Sequence, residues 1–351
     1  MSYKVCHISA TPYWKNSSAN WGDKALCYAA QKQFENTFGE ISWGNVNCRG
    51  IYTEDDVDFI NLYDLIIVGP GGLILPDTAE NYRSGWQWGI SSELMRKIKI
   101  PIIVYSIGWN LFPGQVNNDK VLRENLQTLA SMSTFLSLRH SEDVSIFNEY
   151  TDTDKAVLNF CPSICIDEFK VNDSKKVGIN IAGDRSKIRY HDIDLVIKNI
   201  RRFIHLLELR GYEPIIVNHM MVDSEMGYRI TRNSNVRRVD LSERSVAHGI
   251  EFYRSLGYMF ATRGHAQMIP MGLGVKTASL ISHPKLSRFL NDISADSTAI
   301  DINDARLDLK CIDMMHKLDG YDFASRRQIV ESNLMVNMKK IIKELKLQGV
   351  K

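Results

Sequence analysis

Arg263, Gly264 and His265 stand together directly after the short apolar run Tyr258–Ala261, where a helical pattern, Gln267–Met271, begins. A guanidinium and an imidazole two residues apart at a strand end, beside the free N–H groups of a helix N-terminus, suit an anion with a proton donor next to it. Arg139 follows a second apolar run, Phe135–Leu138, and its planar fork at a strand end would match a carboxylate or phosphate. Ser141 is expected to cap the helix after it, with Glu142 and Asp143 behind. Asn20-Trp21-Gly22-Asp23 precedes a long helical pattern, so Asp23 reads as an N-cap carboxylate or as a base toward a sugar hydroxyl. Gly71 and Gly72, in the turn after Leu65–Val68, would let backbone N–H groups approach an oxyanion. Lys285 adds positive charge after His283-Pro284. The plainer readings are a helix cap for Asp23, a simple turn for the glycines, a local ion pair for Arg139 and a surface position for Lys285.

The elements that must hold these residues alternate short apolar runs with longer amphipathic ones, the pattern of βα units around mainly parallel sheets. Val5–Ser9, Leu65–Val68, Ile102–Ile107 and Phe135–Leu138 read as one series of strands, with helices over Asp23–Phe38, Ser92–Lys99 and Lys120–Met132. Val177–Ile181, Pro214–Val217, Tyr258–Ala261 and Lys276–Ile281 form a second series, with helices over Ile193–Arg210, Arg244–Leu256, Gln267–Met271 and Pro284–Leu290. The expected architecture is α/β with two Rossmann-like lobes: residues 1–170, 171–323, and a closing helix within 324–351 that packs back on the first lobe. In open parallel sheets ligands gather at the carboxyl ends of strands, which directs attention to a cleft between two such lobes.

Bulk properties narrow the class. A charged share of 24% with a formal net charge of +2 gives no basic face for nucleic acid. The six cysteines, at 6, 27, 48, 161, 165 and 311, contain no C-x-x-C pair and no His at zinc-finger spacing, and Cys6 and Cys27, in apolar strand and helical patterns, read as buried thiols. No run of about 18 apolar residues occurs and no signal peptide is legible, so the cytoplasm is the expected compartment. The glycine turn is neither a dinucleotide G-x-G-x-x-G nor a G-x-x-x-x-G-K-[ST] loop, so neither cofactor class is expected.

Seven stretches in order carry a further signal: NWGDKAL (Asn20–Leu26), VGPGGLI (Val68–Ile74), YSIGWN (Tyr105–Asn110), SLRHSED (Ser137–Asp143), CPSICID (Cys161–Asp167), RGHAQMIPMGLGV (Arg263–Val275) and HPKLSRFLNDI (His283–Ile293). Their ordered combination resembles the polysaccharide pyruvyl transferases over roughly residues 1–295. The resemblance departs at Val275–Lys276 and His283, where the family often has a proline and a tyrosine before the lysine, and at Cys161-Pro162-Ser163, in place of an Asp-rich turn.

The resemblance implies a fold like the GT-B glycosyltransferases and transfer of the enolpyruvyl unit of phosphoenolpyruvate to a sugar of a surface polysaccharide repeat unit, usually as a ketal. Arg263 and His265 match the family's donor-binding and catalytic motif. The expected assignment is His265 as general acid, Asp23 as acceptor of a sugar hydroxyl proton, and Arg139, Arg263, Gly71, Gly72 and Lys285 on the donor. Arg139 and Arg263, from different lobes, would close on the donor and exclude water. No cofactor beyond the donor substrate is called for. All six tryptophans (14, 21, 43, 86, 88 and 109) fall in the first lobe, and Trp86 and Trp109 are the candidates for stacking on the acceptor, a sugar or lipid-linked oligosaccharide; core packing is the alternative. Lys339, Lys340, Lys343 and Lys346 on the last helix suit an outer face, with peripheral membrane contact as the other reading. The competing functions are glycosyl transfer from a nucleotide sugar and sugar or anion binding without turnover.

Overall fold

The computed structural model describes residues 3–11, 20–75, 82–110 and 120–349. The chain forms two compact units: Leu26–Pro162 with the N-terminal strand and Glu331–Lys351, and Ser163–Val330 with the first turn of the helix Trp21–Phe38. Trp14 lies outside the described residues. The division at 162/163 falls earlier than the polar stretch at 170–176 indicates, and the start of the first long helix is grouped with the second unit.

The described residues of the first unit form seven strands: β1 (Tyr3–Ser9), β2 (Ile41–Asn47), β3 (Leu65–Val68), β4 (Gly71–Ile74), β5 (Ile102–Trp109), β6 (Phe135–Leu138) and β7 (Val157–Leu158). They run in the order β2-β1-β3-β5-β6-β7 with β4 added to β5, and every ladder is parallel. Alternate residues supply two cores. Cys6, Ile8, Ile66, Val68, Ile102 and Val104 enter one, while Val5, Leu65, Ile67, Ile103 and Tyr105 enter the other. The alternation breaks at Ser106, whose φ of 50° coincides with a register shift between β5 and β6. Beyond this bulge Ile107 and Trp109 join the same core as Ile102 and Val104. Met338, Ile341 and Leu345 of the last helix, Phe323–Leu347, complete the second core, leaving Lys339, Lys340, Lys343 and Lys346 exposed.

The second unit has six described strands, β8 (Lys176–Asn180), β9 (Glu213–Asn218), β10 (Arg237–Asp240), β11 (Tyr258–Ala261), β12 (Lys276–Ile281) and β13 (Ala299–Asp301), in the parallel order β10-β9-β8-β11-β12-β13. The helix Ile193–Leu209 starts where Asp192 accepts from the N–H groups of Asp194 and Leu195. Its apolar stripe, including Val196, Ile200, Phe203 and Leu207, is buried, with Phe203 edge-on to Phe260 of β11 at 4.8 Å. No described helix is long and apolar enough to cross a membrane.

Candidate functional site

In the second unit, the NWGDK segment forms the first turn of Trp21–Phe38 and packs by interlocking shapes. Asn20, not Asp23, occupies the cap: its Oδ1 accepts from Gly22 N at 3.0 Å and its amide reaches Asp23 Oδ2 at 3.2 Å. Trp21 is fully buried against His219 and Tyr253, and its Nε1 donates to Ser245 O at 3.2 Å. A Cβ on Gly249 would lie 2.0 Å from the Trp21 ring, so only glycine admits the indole there. Lys24, almost wholly buried, donates to the carbonyls of Ser242 at 2.5 Å and Arg244 at 3.4 Å. A Cβ on Gly22 would stand 2.6 Å from both Cβ and Nδ1 of His265. Gly22 is therefore the seat of the imidazole as much as a turn residue.

His265 opens the helix Gly264–Leu273 and is 9% exposed, with Nδ1 3.6 Å from Oδ1 of a partly exposed Asp23. This distance is an ion-pair distance and exceeds a good hydrogen bond. The Asp23 carboxylate thus faces the Nδ1 side of the ring.

Arg263, expected to reach for the donor, is engaged by the protein itself. It is buried, its Nε donates to Asp223 Oδ2 at 2.7 Å, and its Nη2 donates to Asp184 Oδ1 at 2.6 Å and to Asp223 Oδ1. This corrects the expectation of a guanidinium held ready for an anion, because no local pattern signals that two distant acids converge on it. Asp223 has no exposed surface and also accepts N–H bonds from Gly183, His219 and Met220. Burial by itself would raise the Asp184 pKa, but Arg263 and Arg189 together hold its carboxyl well below the usual carboxylate range. Arg189 donates to Asp184 Oδ2 at 3.0 Å, and Arg185 lies 3.6 Å from the same atom. The cluster sets three guanidinium groups on two carboxylates. Lys285, half-buried with its Cε near Gly264, contributes to the positive field at Asp184. The cluster gathers these charged groups at the carboxyl ends of β8, β9, β11 and β12.

The first unit holds Arg139 differently. It follows β6, is 5% exposed, and donates from Nη2 to Asn110 Oδ1 at 2.8 Å, while its buried Nε has no hydrogen-bond partner. Among the described residues no carboxylate pairs with it. Burying a guanidinium without an acid is costly unless an anion completes the site. Glycine makes the room: a Cβ on Gly108 would lie 2.5 Å from Arg139 Nε, and one on Gly72 3.2 Å from Nη2 and 1.9 Å from Asn110. Gly71 and Gly72 lie in strand β4 and not in an open turn, so the expected nest of N–H groups is corrected: Gly72 leaves clearance for the Asn110 and Arg139 side chains, and Gly71 takes a φ of 137°. His140, not Ser141, is the N-cap of the helix Ser141–Thr151. His7 fixes the start of the glycine segment, with Nε2 2.6 Å from Gly69 O and Nδ1 3.0 Å from the Gln31 amide. Burial brings His7 down to about 4, so near neutral pH Nε2–H donates and Nδ1 accepts.

The tryptophan expectation is overturned for both residues. Trp86 and Trp109 lie in the core of the first unit, Trp86 edge-on to Trp88 and hydrogen-bonded from Nε1 to Asn125 at 2.7 Å. The bulge at Ser106 turns Trp109 inward, a reversal that simple alternation cannot reveal. The sequence reading also missed Asp184, Asp223, Arg189, Lys24 and His7. Asn110 and Lys24 lay inside the quoted motifs, which was the available signal, whereas Asp223 sits in an ordinary amphipathic helix, Met221–Thr231.

A family profile described as Polysaccharide pyruvyl transferase matches residues 20–284. No curated protein matches the chain in sequence. Among solved structures, a UDP-N-acetylglucosamine 2-epimerase is similar at a TM-score of 0.57 and 11% identity, covering 100% of this chain and 97% of its own. A putative UDP-N-acetylglucosamine 2-epimerase from Listeria monocytogenes is similar at 0.54 and 12%, covering 94% and 91%. The UDP-GlcNAc 2-epimerase from Neisseria meningitidis reaches 0.50 and 9%, covering 97% and 100%. At such identities the likeness establishes the fold, the two-lobe α/β type expected from the strand series.

Proposed function

The chain belongs to the polysaccharide pyruvyl transferase family, and from that premise we propose that it moves the enolpyruvyl group of phosphoenolpyruvate onto a sugar of a surface polysaccharide repeat unit as a ketal. The observation that carries this reading is the Asp23–His265 pair, a carboxylate-supported imidazole seated by Gly22 at a helix start. Enolpyruvyl transfer begins with a proton on the methylene carbon of the donor, and a positioned imidazolium is suited to supply it.

In this mechanism His265 protonates the methylene carbon, which becomes the ketal methyl and leaves the adjacent carbon oxocarbenium-like. One sugar hydroxyl adds there, and its proton returns to His265. The second hydroxyl then forms the other C–O bond as the C–O bond to phosphate breaks, its proton leaving with the phosphate. Asp23 stabilises the charged imidazole in the first step. Arg139, a buried cation without an acid partner among the described residues, is assigned to an anionic group of the donor. Lys285, which acts electrostatically on Asp184, is assigned to the same class of group. Arg263 acts by fixing Asp184 and Asp223.

The test is to incubate the protein with phosphoenolpyruvate and model or lipid-linked glycosides, following phosphate release and the mass of the sugar. Phosphate release with a matching gain of sugar mass is the expected result. Turnover of a nucleotide sugar with no phosphate from phosphoenolpyruvate would overturn the reading.

A further inference from the structure

Within the second unit, a groove of about 730 Å³ runs along the helix Ile193–Leu209 and is lined by none of the residues assigned above. Its floor is a single face of that helix, Asp194, Ile197, Lys198, Arg201, Arg202, His205 and Leu206, spaced at i, i+3, i+4 and so on. This stripe is about 18 Å long at the α-helical rise. Tyr228 of Met221–Thr231 and Leu309 of Leu307–Asp319 stand on the walls, both more than half exposed.

The charges around the groove are unequal. Arg229 is paired with Asp194 at 2.8 Å, and Arg201 is occupied by the carbonyls of Arg229 and Ile230. Lys198, Arg202 and Arg232 have no carboxylate partner among the described residues, and all three are exposed. An apolar groove rimmed by unpaired cations fits a short amphipathic helix with an acidic face.

The same chain carries such a helix. Glu54–Ile60 in the first unit, capped by Thr53, presents Asp55, Asp58 and Phe59 on one face, and Leu62 in the turn that follows extends the i, i+3, i+4 and i+7 spacing. Phe59 is 49% and Leu62 72% exposed. Neither Asp55 nor Asp58 is within ion-pair or hydrogen-bond distance of a partner among the described residues, although Asp58 lies in the field of Lys97, whose ammonium is held by Glu54 at 2.6 Å. Exposed large apolar side chains beside acids on a short stripe complement the groove in apolar character and in sign of charge. We infer that the acidic face of Glu54–Ile60 in one copy docks in the Ile193–Leu209 groove of a second copy, so that the protein self-associates. The two surfaces differ, so each copy offers both halves of the contact. This inference is independent of the transferase reading, since it uses none of the residues assigned to donor or proton transfer.

Analytical ultracentrifugation of the full chain over a micromolar concentration series tests it. The expected result is concentration-dependent association that weakens as salt is added. Asp58→Lys and Arg202→Glu should each weaken association roughly tenfold or more. Mixed in equal amounts, the two variants should associate again. The Asp58→Lys chain retains the native groove and the Arg202→Glu chain the native acidic face, while the two reversed charges attract each other in the second pairing. This rescue separates a broken contact from a misfolded variant. A wild-type chain that stays monomeric throughout, or association indifferent to both reversals, overturns the inference. A monomer that binds anionic phospholipid vesicles or an acidic peptide through Arg202 also overturns it, assigning the groove to another occupant.

Discussion

Asp23 and His265, 242 positions apart in the chain, lie 3.6 Å from each other across Oδ1 and Nδ1, with Gly22 leaving no room for a Cβ at the imidazole. His265→Gln should lower kcat for phosphate release from phosphoenolpyruvate by on the order of a hundredfold or more, as loss of a general acid does. Asp23→Asn should lower it less, with little change in KM, because it weakens support for the charged imidazole without removing the proton donor. Steady-state kinetics of the two variants check the order.

Gly22→Ala would place a methyl group 2.6 Å from the imidazole. The expected result is a loss of about 1–3 kcal/mol in stability, as for overpacking, together with reduced turnover. Thermal melting and kcat on the same preparation measure both. Unchanged activity would show that the position of His265 is not critical.

Arg139 links stability to binding in opposite directions. Replacing a buried cation that lacks an acid partner by Arg139→Met should stabilise the ligand-free protein by roughly 1 kcal/mol. The same change should raise KM for phosphoenolpyruvate about tenfold or more through loss of a charge-assisted contact. Phosphoenolpyruvate should raise the Tm of the wild type and scarcely move that of the variant. Gly108→Ala, which crowds Nε, should reproduce the KM effect with a destabilised fold.

Arg263→Ala should cost about 3–5 kcal/mol, because it leaves the buried Asp223 carboxylate without its guanidinium. Arg263→Lys should recover only part, since an ammonium cannot span Asp223 and Asp184 as the fork does. Urea unfolding curves distinguish this structural role from a purely kinetic one.

Acid should destabilise the protein over a definite window. Burial lowers His7 from 6.5 to about 4, and burial together with Arg263 lowers His219 from 6.5 to about 3. The unfolded chain therefore binds more protons below pH 6.5, so stability is complete above that pH and falls as pH drops. Each histidine contributes a slope of about 1.4 kcal/mol per pH unit until its folded-state value is reached. Asp184, held low by Arg263 and Arg189 despite its burial, loses its contribution as pH falls below the ordinary value of 3.8. Unfolding midpoints measured from pH 7 to 4 should flatten in His7→Gln if His7 is responsible.

The order of strands and helices was legible because apolar runs with period 2 or 3.6 are a local property of the chain. Phe135–Leu138, Lys120–Met132, Tyr258–Ala261 and Lys276–Ile281 begin and end where their patterns do. β2, with its half-exposed ISWGNVN pattern, and the two-residue β7 carried too little apolar contrast to be read. The residue types at Asp23, Arg139, Arg263 and His265 were equally visible, but their partners were not.

By itself, then, the sequence determined the βα alternation, the family motifs and the residue types that could handle a proton and an anion, since each depends on neighbours within a few positions. Tertiary structure alone decided that Arg263 is claimed by Asp184 and Asp223, that Arg139 is left without an acid among the described residues, and that Trp86 and Trp109 face a core. Whether a charge is neutralised or available depends on which carboxylates come within about 4 Å, and that is set by packing between segments tens to hundreds of residues apart.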